Sequence, residues 1–164
     1  MSRLSVHYSA LAPESFKKLL DLSHSLHKSA LGIGLLELVK LRVSQINGCA
    51  FCLDMHARAL LEEGEDLQRL LMLPAWRESG FFTTRERAAL DWAEHANAHG
   101  DEAALDASFA ELSKHFDERE IADLTLAVAV INTWNIMNVS LKTPVARKPM
   151  SEGSPHAANG RTGT

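Results

Sequence analysis

The dipeptide Asn47-Gly48 interrupts a long apolar stretch, and that break restricts the fold more than any other feature of the chain. Upstream, from Leu31 to Ile46, apolar residues occur nearly all round a helical wheel, so a helix there must be covered on every side. Asn-Gly breaks helices, which predicts that this one stops and a second opens at once. The second helix carries both cysteines, Cys49 and Cys52, followed by His56, and should end at Gly64. Folded back across the turn as an antiparallel pair, the two helices bring distant residues together. Glu37 lies ten residues before Asn47 and His56 nine after it, so carboxylate and imidazole face one another.

At about 100° per residue, Cys49, Cys52 and His56 fall within an arc of about 60°, along about 10 Å of helix axis. They share a face. Both sulfurs sit in a first turn, where free N–H groups and the helix dipole favour thiolate over thiol. His56, one turn beyond Cys52, can accept its proton. Glu37 lies on the apolar helix, and a buried carboxylate needs a partner. His56 can serve, directly or through water, and so can Lys40 or Arg42 as a salt bridge. Blander readings stay open on spacing alone: two packed core thiols, or part of a zinc site made of Cys49, Cys52, His56 and Glu37. The residues also leave open which sulfur attacks first. Cys49 is nearer the helix end, whereas the candidate base is nearer Cys52.

The rest of the chain is punctuated for helices. Residues 1–12 read as an extended arm. Pro13 then suits a first turn, with Phe16, Leu19, Leu20, Ser23 and Leu26 as the buried stripe and His24 and His27 on a solvated face. Gly32 and Gly34 loosen the entry to the apolar helix. A short helix, Asp66 to Met72, should stop at Pro74, leaving Trp76, Phe81 and Phe82 as core or interface anchors in a loop. Thr83 and Glu86 form a capping box for a helix from Thr84 to Ala98, which Gly100 closes. His95 and His99 near its end have metal-ligand spacing but equally suit the helix dipole. Asp101 caps a further helix with Leu105, Phe109 and Leu112 as its stripe. Asp117 and Glu120 open the longest apolar run, Ile121 to Val139. So small a domain cannot cover all of that run, which predicts a subunit contact with Trp134 in it and Asn132, Asn135 and Asn138 bonding across it.

These elements amount to one all-α domain over residues 1–142. From Pro144 the composition turns to Pro, Lys, Arg, Gly, Ser and Thr, so residues 143–164 are expected to form a flexible tail without a packed core. A net charge of −4 offers no basic surface for nucleic acid. Without a secretory signal or an uninterrupted apolar run of ~20 residues, neither export nor a membrane span is expected. A cytoplasmic location follows, where thiols stay reduced unless they turn over.

The order Glu37, eleven residues, Cys49-x-x-Cys52, three residues, His56 resembles the core of the AhpD-like alkyl hydroperoxidases of the carboxymuconolactone decarboxylase superfamily. LRVSQINGCAFCLDMHARAL, WRESGFFTTRERAALDWAE and LTLAVAVINTWN are similar to segments of that family, and the likeness covers residues 15–142. It implies an AhpD-like helical bundle that assembles as a homotrimer or a hexamer, and a redox-active pair used in antioxidant defence. Residue by residue, Cys52 matches the peroxide-attacking cysteine, Cys49 the resolving one, and His56 and Glu37 the proton relay. The resemblance also implies a hydroperoxide substrate, no bound cofactor, and an external dithiol donor such as a lipoyl-bearing protein. Alternatively, the disulfide serves a separate peroxiredoxin. One departure stands out. Phe51 occupies the place where peroxidases of the family carry a second histidine.

Overall fold

Helix α3 (Ile33–Ile46) is the axis on which the other helices are arranged in this computed structural model, which describes residues 2–148. Leu36, Leu38, Val39, Leu41 and Val43 are buried, and so are Glu37, Lys40 and Ser44 between them. The helix is therefore covered all round, as its apolar wheel predicts. Each of those aliphatic side chains contributes about 1.5–3 kcal/mol through burial. The helix starts at Ile33 rather than Leu31, because Gly32 at φ +80 takes a backbone conformation that a side chain would strain.

Helix α4 (Ala50–Glu62) folds back on α3 across Asn47-Gly48, with Gly48 at φ +65 making the turn. Gly64, at φ +90, ends α4 where the sequence places it. Helix α5 (Leu67–Met72), capped by Asp66, runs on into a 3-10 turn over Leu73–Ala75, so Pro74 lies inside the turn and does not stop the element. Trp76 and Phe82 are buried core residues, whereas Phe81 is exposed. Helices α6 (Thr84–Ala98) and α8 (Glu118–Leu141) both open on complete capping boxes, Thr83 with Glu86 and Asp117 with Glu120. Asp101 caps α7 (Glu102–Leu112). His99, in the left-handed conformation, closes α6 one residue before the expected Gly100.

Long-range contacts reshape the chain's first residues and engage the polar groups of its last helix. The N-terminal arm is not simply extended: it contains a single helical turn, α1 (Tyr8–Leu11), with Tyr8 buried against α2 (Pro13–Leu26) and α8. Ahead of it, Arg3 gives its backbone N–H to Leu141 O (2.9 Å) and its guanidinium to Ser140 O (2.8 Å). Those carbonyls at the end of α8 would otherwise lack partners. Similarly, the amides and indole expected across a subunit contact bond within the chain. Asn47 directs its amide at Asn97, Asn132 and Asn135, and Asn135 donates to Ser44 Oγ at 3.1 Å. Trp134 donates its indole N–H to Ser23 Oγ (2.9 Å) and meets Phe16 edge-on.

Helix α8 has the length and apolarity of a membrane span, but Leu124, Val128, Ile131 and Asn135 on its inner side are core residues packed toward α3. Its outer side leaves Leu126, Ile136 and Val139 exposed. Residues 143–148 have no regular structure, and Arg58 on α4 donates to Lys148 O at 2.9 Å. The remainder of the expected tail, 149–164, lies outside the described residues.

Candidate redox site

The α3–α4 turn sets the position of both sulfurs. Cys49 is the N-cap of α4 and its sulfur accepts the Cys52 backbone N–H at 3.3 Å, while Cys52 occupies the first turn. The two are joined as a disulfide with Cα atoms 5.3 Å apart, and both are buried. One turn on, His56 points in the same direction as Cys52 and meets the facing helix. Its Nδ1 lies 2.5 Å from Glu37 Oε2.

Glu37 is held from both sides. Its other oxygen, Oε1, accepts from Lys40 Nζ at 2.8 Å, and Lys40 in turn reaches His27 Nε2 at 3.3 Å. Burial alone would push the Glu37 carboxyl up. The hydrogen bond and charge of His56, with those of Lys40, outweigh burial and bring its pKa down to about 2. An ionised carboxylate can only accept, so the proton on His56 Nδ1 is fixed there. The other ring nitrogen, Nε2, is buried with no hydrogen-bond partner among the described residues. An imidazole oriented by a carboxylate, with its second nitrogen free, is equipped to take up and return a proton.

A cavity of about 470 Å³ opens over this pair. Tyr8, Phe16, Phe51, Met55 and Trp134 give it apolar walls, and Glu37, Lys40, His56 and Asn138 supply polar groups. Neither cysteine lines it. Both sulfurs are buried, and Asn138, which lines the cavity, has its Nδ2 3.7 Å from Cys52 Sγ.

The structure thus brings together Glu37 and His56 on facing helices and sets Cys49 and Cys52 beside them on α4. Of the salt-bridge partners considered for Glu37, Lys40 is used, whereas Arg42 pairs with Glu94 at 2.6 Å. A zinc site would need Glu37 as fourth ligand, but its two oxygens are engaged by His56 and Lys40. His27, read from the sequence as part of a solvated face, lines the cavity and approaches Glu37 Oε1 to 3.9 Å. Burial and then the Lys40 charge hold its pKa below the usual histidine value. Tyr8 and Asn138 were not legible as site residues, because only the packing of α1 and α8 delivers them.

Residues 13–95 match the profile of the carboxymuconolactone decarboxylase family. The chain is 36% identical over 143 residues to the uncharacterised protein YdfG of Bacillus subtilis, covering 87% of this chain and 97% of YdfG. Among solved structures, a protein of unknown function from Agrobacterium tumefaciens, named as a candidate antioxidant defence protein AhpD, superposes with a TM-score of 0.84. It shares 35% identity, over 90% of this chain and all of its own. An uncharacterised peroxidase-related protein from Silicibacter gives a TM-score of 0.70 at 26% identity, covering 82% of this chain and 72% of that one.

Proposed function

Because the chain belongs to the carboxymuconolactone decarboxylase family, in its AhpD-like group, we propose that it is a thiol-dependent hydroperoxidase in antioxidant defence. The observation that carries this reading is the His56–Glu37 pair, with an unpartnered Nε2 one helical turn from Cys52. In the reduced protein, His56 takes the Cys52 proton, and the Glu37 carboxylate offsets the charge that the ring acquires. The thiolate attacks a peroxide oxygen: an S–O bond forms, the O–O bond breaks, and the departing alkoxide recovers the proton from His56 as an alcohol. Cys49 then attacks the Cys52 sulfenic acid. The S–S bond forms, the S–OH bond breaks, and water leaves with the Cys49 proton. An external dithiol, such as a lipoyl group, reduces the pair again. The apolar walls of the cavity suit the organic part of a small hydroperoxide.

A second reading has its own support. Both sulfurs are buried and neither lines the cavity, and Phe51 stands where a second histidine would assist peroxide. In that reading the disulfide accepts two electrons from the external dithiol, and the Cys49–Cys52 dithiol so formed passes them to the disulfide of a separate peroxiredoxin, becoming a disulfide again. In either case a reducing compartment such as the cytoplasm suits the cycle, and a second copy of the chain covering Leu126 and Ile136 on α8 suits a trimeric or hexameric assembly.

Mixing reduced protein with one equivalent of tert-butyl hydroperoxide, and counting thiols with no partner present, separates the two readings. The hydroperoxidase loses both thiols, and Cys52→Ser loses neither to a disulfide. Thiols that persist until a peroxiredoxin is added would favour the adaptor instead.

A further inference from the structure

Asn138 on α8 is buried, and each polar atom of its side chain has a partner. Its Oδ1 accepts the Tyr8 hydroxyl at 3.3 Å. Its Nδ2 donates to Trp134 O at 2.9 Å and lies 3.7 Å from Cys52 Sγ. The Trp134 carbonyl cannot donate, so the amide is oriented with its N–H groups toward that carbonyl and the sulfur. Burial pushes the Tyr8 hydroxyl up, against the smaller effect of its bond to Asn138, so Tyr8 remains a neutral donor. A hydrogen bond to a buried anion is stronger than one to a neutral group, so this amide favours negative charge on the sulfur that it faces.

Position along α4 alone argues for the other cysteine. Cys49 is at the helix terminus, and its sulfur already accepts a backbone N–H. We propose that Asn138, held in place by Tyr8, shifts the anionic charge of the reduced pair from Cys49 to Cys52; this rests on the thiol-redox reading above. Asn138 then acts in both halves of the cycle. In the oxidative half it stabilises the attacking Cys52 thiolate. In the reductive half a thiolate of the external dithiol attacks Cys49 Sγ, a new S–S bond forms there, and the Cys49–Cys52 bond breaks. The electron pair remains on Cys52 Sγ, facing the Asn138 amide. The second thiol of the donor then displaces Cys49.

The test is competitive alkylation of the fully reduced full-length chain with a small amount of iodoacetamide, followed by mass-spectrometric counting of label on each cysteine. Wild type is expected to label mainly on Cys52. A hydrogen bond to an ionised group corresponds to about one pKa unit or more, so Asn138→Asp and Asn138→Leu should lower the Cys52:Cys49 ratio about tenfold. Tyr8→Phe, which only loosens the amide, should lower it about threefold. A purely architectural role for Asn138 would change unfolding without changing this ratio. Wild type labelled mainly on Cys49 would overturn the inference, as would an unchanged ratio in folded Asn138→Asp and Tyr8→Phe. If Asn138→Leu does not fold, those two variants decide the matter. A shifted ratio in a protein that fails to consume hydroperoxide would instead count against the enzymatic reading alone.

Discussion

Buried Glu37 and partly buried Glu94 both tie helices of this bundle together, and they differ in the kind of partner each holds. Glu94 on α6 accepts from Arg42 at 2.6 Å and from the Trp76 indole at 2.8 Å, and it also pairs with Arg77. Glu37 on α3 accepts from Lys40 at 2.8 Å and from His56 at 2.5 Å. In both, burial pushes the carboxyl up and the surrounding donors more than reverse it. The difference lies in the partners. Guanidinium and indole groups stay protonated throughout, so Glu94 can only fasten α6 to α3 and to the loop around Trp76. His56 can change protonation, and its second nitrogen is unpartnered. A carboxylate facing a group that can exchange protons is thus equipped for proton transfer in a way that one facing only guanidinium and indole groups is not.

Exchanging each glutamate for its amide tests that contrast most strongly. Glu37→Gln should slow hydroperoxide-driven thiol loss by about 10²-fold, the contribution expected of an oriented acid–base group. Glu94→Gln should leave that rate within about twofold of wild type, because its network touches no reacting atom. Stability should order the pair less sharply. Glu37→Gln leaves the buried Lys40 ammonium without its counter-charge and should cost about 3 kcal/mol by denaturant titration. The half-exposed Arg77 can turn to solvent and Arg42 keeps Gln45 as an acceptor, so Glu94→Gln should cost about 1–2 kcal/mol.

Acid sharpens the comparison further, with a smaller effect. Glu37 is held at about 2, below its ordinary 4.5, so the unfolded chain binds that proton first. The resulting stabilisation is complete above about pH 4.5 and is lost as pH falls toward 2. Glu94 is shifted in the same direction. Denaturant midpoints measured between pH 5 and 3 should therefore fall for wild type and fall less steeply for either amide variant.

How much of this could be read from the sequence follows the distance over which each feature is encoded. The capping boxes at Thr83 and Asp117 are legible because their partners lie three residues on, within one helical turn. The Glu37–His56 pair is legible because a single turn at Asn47-Gly48 fixes the register of both helices around it. Asn138 and Tyr8 reach the site from helices at the two ends of the chain, and no local pattern encodes that meeting. Nor does the sequence show that Asn132, Asn135 and Trp134 bond within the chain, because polar groups on an apolar helix suit an internal network and an interface equally well. His27 is exposed, as its spacing on a solvated helix face predicts, and what the sequence does not show is its approach to Lys40 at the cavity rim.

The account depends most on His56 acting as a proton acceptor for Cys52, and the pH dependence of its loss tests that directly. Single-turnover thiol oxidation by tert-butyl hydroperoxide should be followed in wild type and His56→Gln from pH 6.5 to 9.5. Near pH 7 the variant should be about 10²-fold slower, and the gap should close to within about tenfold as rising hydroxide ionises the thiol without help from His56. An equal gap at every pH, or no gap at all, would contradict the account.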